Sequence, residues 1–153
     1  MKKLIGKKSE FAIEYAIKTR VPYLMGNLRL WLGGMYVGYF NEDIMLSSAQ
    51  HILMHLRGRI NELNNEVFTT KKVEEIYNLV YSGKIDNGKY LLNLGDSFDD
   101  FSFFVFLRGN QINFVWKLHK EPFFDYPNYK NNINHKEIDI SVFSEIVKSF
   151  QSI

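Results

Sequence analysis

The sequence predicts an α+β fold: an antiparallel sheet of about six strands built from hairpins, with three helices largely on one face. Three observations lead there. Two stretches alternate apolar and polar residues on either side of a two-residue turn containing glycine, which is the pattern of a β-hairpin. Between them, from Ser47, the apolar spacing changes to alternating steps of three and four, the stripe of one helix face. Strands joined as hairpins favour antiparallel pairing, with helices gathered against the sheet.

Taken in order, Ser9 to Lys18 sets Phe11, Ile13, Tyr15 and Ile17 against polar or small neighbours, a half-buried strand. After a loop with Pro22 and Gly26 comes NLRLWLGGMYVGYF, a hairpin turning at Gly33-Gly34. Counting outward pairs Leu32 with Met35, Leu30 with Val37 and Leu28 with Tyr39 on the core face. Trp31 meets Tyr36 on the other face, beside Arg29 and Gly38. Ser47 to Gln50 matches a capping box after Leu46, and Leu46, Ala49, Leu53, Leu56, Ile60 and Leu63 then line one helix face, with Gly58 as its weak point. A second helix is expected over Thr70 to Ser82, with Val73, Ile76, Tyr77 and Val80 inward and Gly83 as its C-terminal cap.

Lys89 to Leu94 reads as a strand leading into the stretch that organises the chain, Gly95 to Tyr129. If Gly109-Asn110 is a hairpin turn, Arg108 faces Gln111, Leu107 faces Ile112, Phe106 faces Asn113, Val105 faces Phe114 and Phe103 faces Trp116. Phe101, Phe103, Val105 and Leu107 then share an apolar face with Ile112, Phe114, Trp116 and Leu118. Each such side chain contributes roughly 1.5–3 kcal/mol on burial, before the entropy of ordering it. Phe104 and Phe106 point the other way, where the late aromatic loop is expected to fold over them. A short strand (Glu137 to Ile140) and a helix capped by Ser141, burying Phe143, Ile146, Val147 and Phe150, end the series.

The 153 residues fit one domain, and no repeat or linker divides them. With no cysteine there is no disulfide framework, no thiol catalysis and no cysteine-based metal site. A net charge of +2 does not imply a nucleic-acid partner. Nor do fourteen lysines against five arginines, since lysine shares A+T-rich codons with the abundant Asn, Ile, Tyr and Phe. The longest unbroken apolar run, Phe103 to Leu107, is far too short to span a membrane. Met1-Lys2-Lys3 resembles the start of a signal peptide, but Gly6-Lys7-Lys8 interrupts any apolar segment at once, so the expected location is the cytoplasm.

No motif carries catalysis. GKIDNGK (Gly83 to Lys89) has the spacing of a phosphate-binding loop, yet it follows a helix, precedes a strand, and is followed by Tyr90 instead of Ser or Thr. His51 and His55 stand four apart on the polar side of the first helix, with no third metal ligand nearby. His119 and His135 lack a serine or carboxylate at a catalytic spacing. FSFFVF lacks the basic residues and glycine of an RNA-binding strand. No cofactor is implied.

The compact acidic cluster Asp96, Asp99 and Asp100 leaves three readings open: a metal site, a chain turn made by Asp96 or Ser97, and a protein interface. In the last, the carboxylates guide encounter, while Phe98 and the segment Phe123, Phe124, Tyr126 and Tyr129 supply aromatic anchors. Trp31 and Tyr36 are outlying candidates for the same surface.

IGKKSEFAIEYAI, NLRLWLGGMYVGYF with its Trp-x-Gly-Gly turn, GDSFDDF, FVWKLHKEPFFDYPNY and the terminal IDISVFSEIVKSF together resemble the immunity protein 42 family of bacterial polymorphic toxin systems. The likeness covers most of the chain, least in the helical middle. It implies a small cytoplasmic α+β protein, encoded beside a secreted toxin, that binds the toxin and occludes it, with no catalytic residues, metal or cofactor. The slightly basic charge departs from the acidity common in immunity proteins against nucleases, so the toxin's activity stays open. The competing expectation is a small enzyme or ligand-binding domain with a pocket behind the late aromatic loop.

Overall fold

The computed structural model describes residues 1–153. Its strands are β1 (Lys3–Gly6), β2 (Phe11–Thr19), β3 (Met25–Leu32), β4 (Met35–Val37), β5 (Ile44–Met45), β6 (Phe101–Arg108), β7 (Gln111–Leu118) and β8 (Asn134–Asp139). Its helices are α1 (Leu46–Gly58), α2 (Val73–Tyr81) and α3 (Ile140–Phe150). All pairings are antiparallel, as hairpin connections require, and the α+β class holds.

The strands divide between two sheets instead of forming one. The first runs β1-β2-β3-β4 with β5 also beside β3; the second runs β6-β7-β8. The reason lies in the apolar faces, which are too wide to be covered by helices alone and so meet each other. Phe11 of β2 stacks on Phe114 of β7 at 5.5 Å, and Phe143 of α3 closes the same cluster at 5.5 and 5.8 Å. The short lysine-bearing edge strand β1 was not anticipated. It pairs Lys3 with Tyr15 through Gly6 with Ala12, and its shortness and its one lysine discourage further pairing.

The register of the second hairpin is the one counted from Gly109, Arg108 with Gln111 through Phe101 with Leu118. The first hairpin also keeps its register from Leu32–Met35 to Leu30–Val37, with Gly33 and Gly34 at φ 59° and 86°. It then breaks. Leu28 does not pair with Tyr39, because β4 ends at Val37 and Gly38 (φ 104°) turns the chain away. A Cβ on Gly38 would lie 2.9 Å from the Phe98 ring, so only glycine lets Phe98 seat there. The Tyr39 N–H donates to Ser97 O at 2.8 Å instead.

Both expected helix caps are replaced by backbone pairing. Leu46 is already helical and donates to Leu24 O at 2.8 Å, so α1 starts directly from β5 with no side-chain cap. Ile140 likewise starts α3 from β8, donating to Asn110 O at 3.2 Å, and Ser141 lies inside the helix. The predicted stripe of α1 is buried, with Ile60 and Leu63 continuing it in a 3-10 turn beyond Gly58. α1 and α3 lie together, joined by Gln50 Nε2 to Phe150 O (2.8 Å) and Gln151 Nε2 to Gln50 O (2.9 Å).

α2 is shorter than expected and packs on the opposite face of the second sheet. Its Tyr77 and Tyr81 lie 6.2 and 5.9 Å from Phe104, while Phe68 lies 5.0 Å from Phe106. These residues cover Phe104 and Phe106; the late loop does not. Lys89 to Leu94 forms no regular strand, although Val105 N to Tyr90 O (2.9 Å) and Leu92 N to Phe103 O (3.0 Å) lay part of it along the free edge of β6. The late loop is thereby left to cross toward the first sheet.

Candidate protein-binding surface

The loop after β7 is positioned by one carboxylate. Asp100, 7% exposed at the entrance to β6, accepts from Phe123 N (2.7 Å), Phe124 N (3.0 Å) and Tyr126 Oη (2.9 Å). Its own carbonyl accepts from His119 N at 2.8 Å. Burial, and then the Asp100 carboxylate, push the Tyr126 hydroxyl far above its ordinary pKa, so it stays protonated and remains a donor. Charge-assisted bonds of this kind are the strong ones. The backbone of Phe123 and Phe124 is therefore fixed from beneath.

What this clamp presents is a bare aromatic ring. Phe124 stacks on Tyr39 at 4.3 Å, nearly parallel, whereas Phe123 is 87% exposed and leans edge-on against Phe124 at 5.0 Å. Beside it is a hollow of about 310 Å³ lined by Phe123, Phe124, Asp96, Asp99, Asp100 and Glu42, with four carboxylates and no cation. Asp96 and Asp99 are exposed. The turn that carries them is organised by Asn93, which accepts from Gly95 N (2.8 Å) and donates to Asp99 Oδ1 (2.7 Å). Neither Asp96 nor Ser97 makes the turn through its side chain; Ser97 Oγ is buried without a partner.

Further along the loop, Tyr129 ties the two sheets together. Trp116 Nε1 donates to Tyr129 Oη (2.9 Å), which donates in turn to the carbonyl of Tyr36 on β4 (2.7 Å). The rings of Phe101, Tyr126, Tyr129 and Tyr36 fill the space behind the loop where a ligand pocket was the competing expectation. An open groove of about 360 Å³ remains outside it, between Met35 and Tyr36 on one side and Pro127 to Tyr129 on the other.

Trp31 lies edge-on to Tyr36 at 5.8 Å, with Lys8 (4.4 Å) and the Arg29 guanidinium (4.9 Å) over its ring. Its indole N–H donates to Glu14, which Arg29 also engages. Burial raises the Glu14 pKa, but the hydrogen bonds from Arg29 and Trp31 outweigh it and leave the carboxyl below its usual range. Trp31 is thus held by its own neighbours.

The structure sorts the expected site residues into three groups. Phe98, Asp100 and Tyr126 are buried and act as supports: Phe98 seats against Gly38, and the other two form the clamp. Asp96, Asp99, Phe123 and part of Phe124 come together at the surface. Tyr129, Tyr36 and Trp31 are half-buried. Glu42, Tyr39 and Asn93 were missed; nothing in their local sequence signals a role that depends on contacts made far along the chain. His51 and His55 lie exposed on α1.

The sequence matches the family description "Immunity protein 42" over residues 1–153. No curated protein matches it significantly. Among solved structures, CdiI from Burkholderia dolosa AUO158 is similar, with a TM-score of 0.67 and 16% identity, over 98% of this chain and 99% of that one. At that identity the likeness is one of fold, and no helix here is long and apolar enough to cross a membrane. With a family match that runs the full length of an α+β chain whose most exposed aromatic is rigidly presented, the conclusion follows that the chain belongs to the immunity protein 42 family and is an immunity protein, which neutralises a toxin.

Proposed function

We propose that the protein acts in the bacterial cytoplasm by steric cover of a cognate polymorphic or contact-dependent toxin domain, with no bond-making of its own, and that Phe123 is the central anchor. The carrying observation is a ring 87% exposed on a backbone fixed by two hydrogen bonds to a buried carboxylate. Exposing an aromatic side chain on a rigid support keeps the entropy cost of docking low. Asp96, Asp99 and Glu42 beside it favour approach by a cationic surface. Nanomolar binding corresponds to roughly −12 kcal/mol, and such energy is concentrated in a few buried aromatic anchors.

The test uses the toxin domain encoded by the adjacent gene. Phe123→Ala is expected to weaken binding about tenfold or more and reduce protection in a growth assay, with an unchanged unfolding midpoint. The paired substitution Asp96→Ala and Asp99→Ala is expected to slow association and flatten its salt dependence. Full affinity in both variants would remove this face from consideration.

A further inference from the structure

The hollow beside Phe123 is lined by six residues, whereas a stable protein complex engages roughly 20–30 on each side. The footprint must extend, and the loop that carries Phe123 continues without a break to Tyr129 in the wall of the groove, facing Tyr36 of β4. That groove differs in character from the hollow. It is lined by Met35, Tyr36 and Tyr129, by the amide-bearing Asn128, Asn132 and Asn134, and by one charged residue, Lys130.

β4 is an edge strand, so addition of a partner strand is the first mode to consider. It is blocked. In a two-residue hairpin the residues flanking the turn bond each other, so Leu32–Met35 and Leu30–Val37 are the bonded pairs and Tyr36 points its backbone outward. The outward carbonyl of Tyr36 is already taken by the Tyr129 hydroxyl at 2.7 Å. What the groove offers instead is aromatic rings and the neutral amides of Asn128 and Asn132, groups suited to an entering apolar side chain and to the peptide backbone that carries it. A cation is disfavoured there, since Lys130 lines the groove and the Arg29 guanidinium already lies 5.2 Å from the Tyr36 ring.

We infer that the groove between β4 and the Pro127–Asn134 segment receives an aliphatic or aromatic side chain from an uncharged stretch of the toxin, inserted alongside the Phe123 contact. This rests on the reading of Phe123 as the toxin anchor. It makes the interface reciprocal: this chain projects a ring at one end of its late loop and accepts an apolar side chain at the other.

Asn132 is exposed and lines the groove, and the hydrogen bond it accepts from Asn134 Nδ2 is to its backbone carbonyl, so Asn132→Trp adds bulk at the groove while leaving that bond in place. Binding of the adjacent gene's toxin domain is measured for this variant and for Phe123→Ala, each with its unfolding midpoint. The expected result is a loss of about tenfold or more in both, with both still folded. Wild-type affinity for Asn132→Trp beside a weakened Phe123→Ala overturns the groove and leaves the Phe123 anchor standing. Wild-type affinity in both overturns the two together. Should Asn132→Trp not fold, a benzophenone amino acid at exposed Lys130 replaces it: a cross-link to the toxin domain supports insertion, and none overturns it.

Discussion

The Tyr129 hydroxyl donates to the carbonyl of Tyr36 across 93 residues of chain, and accepts from Trp116 Nε1 at the same time. One oxygen thus joins the late loop, the second sheet and the free edge of the first. Burial raises the Tyr129 pKa far above its ordinary value, more than the Trp116 hydrogen bond lowers it, so the group is a donor at any physiological pH. Tyr129→Phe keeps the ring and orphans both partners. Its expected cost is about 1–3 kcal/mol, or a fall in Tm of roughly 2–4 °C for each kcal/mol. Urea titration of the two proteins measures it, and an unchanged midpoint would mean that water replaces the hydroxyl without penalty.

Asp100 invites a sharper contrast, because its neighbours Asp96 and Asp99 look the same in the sequence. Asp100→Ala strands three donors under the loop and is expected to cost ~3 kcal/mol, with loss of toxin protection through release of Phe123. Asp96→Ala, at an exposed carboxylate, is expected to stay within about 0.5 kcal/mol of wild type. Guanidinium unfolding of each single variant decides the matter; equal stabilities would show that the clamp contributes nothing.

That contrast also marks where sequence reasoning stops. Hairpin registers were legible because a glycine turn and period-two alternation admit one solution, as Leu107–Ile112 and Leu30–Val37 show. The same alternation says which face of β7 is apolar, but not that Phe114 will meet Phe11 in another sheet. Which of three aspartates is buried depends on where Phe123 and Tyr126 return, more than twenty residues later. Helix starts failed for a related reason: Ser47 and Ser141 are suitable caps, yet Leu46 and Ile140 had already found the carbonyls of Leu24 and Asn110, far away in the chain. Phe98 and Phe123 are equally hydrophobic, yet the bend at Gly38 makes room for the first, while the Asp100 clamp holds the backbone of the second at the surface.

His135 provides a pH handle on the second sheet. Its Nε2 lies 2.7 Å from Asn113 Oδ1, and Asn113 uses its amide N–H on Gln111 O, so the neutral ring carries its proton on Nε2. Burial lowers its pKa; Glu137 and Glu74 pull it up and Arg108 pushes it down, and the folded value lies below 6.5. A base with a depressed folded pKa binds its proton more readily when unfolded. Its stabilising contribution is therefore complete above the unfolded value and is lost as pH falls from there toward the folded one. Stability from urea unfolding at about pH 7.5 and about pH 5.5 should consequently fall for the wild type and fall less for His135→Gln, which keeps an amide donor toward Asn113. Parallel losses in the two proteins would assign the acid sensitivity to other groups, though not to Glu14, whose depressed pKa confines the loss of its contribution to pH below the ordinary carboxylate range.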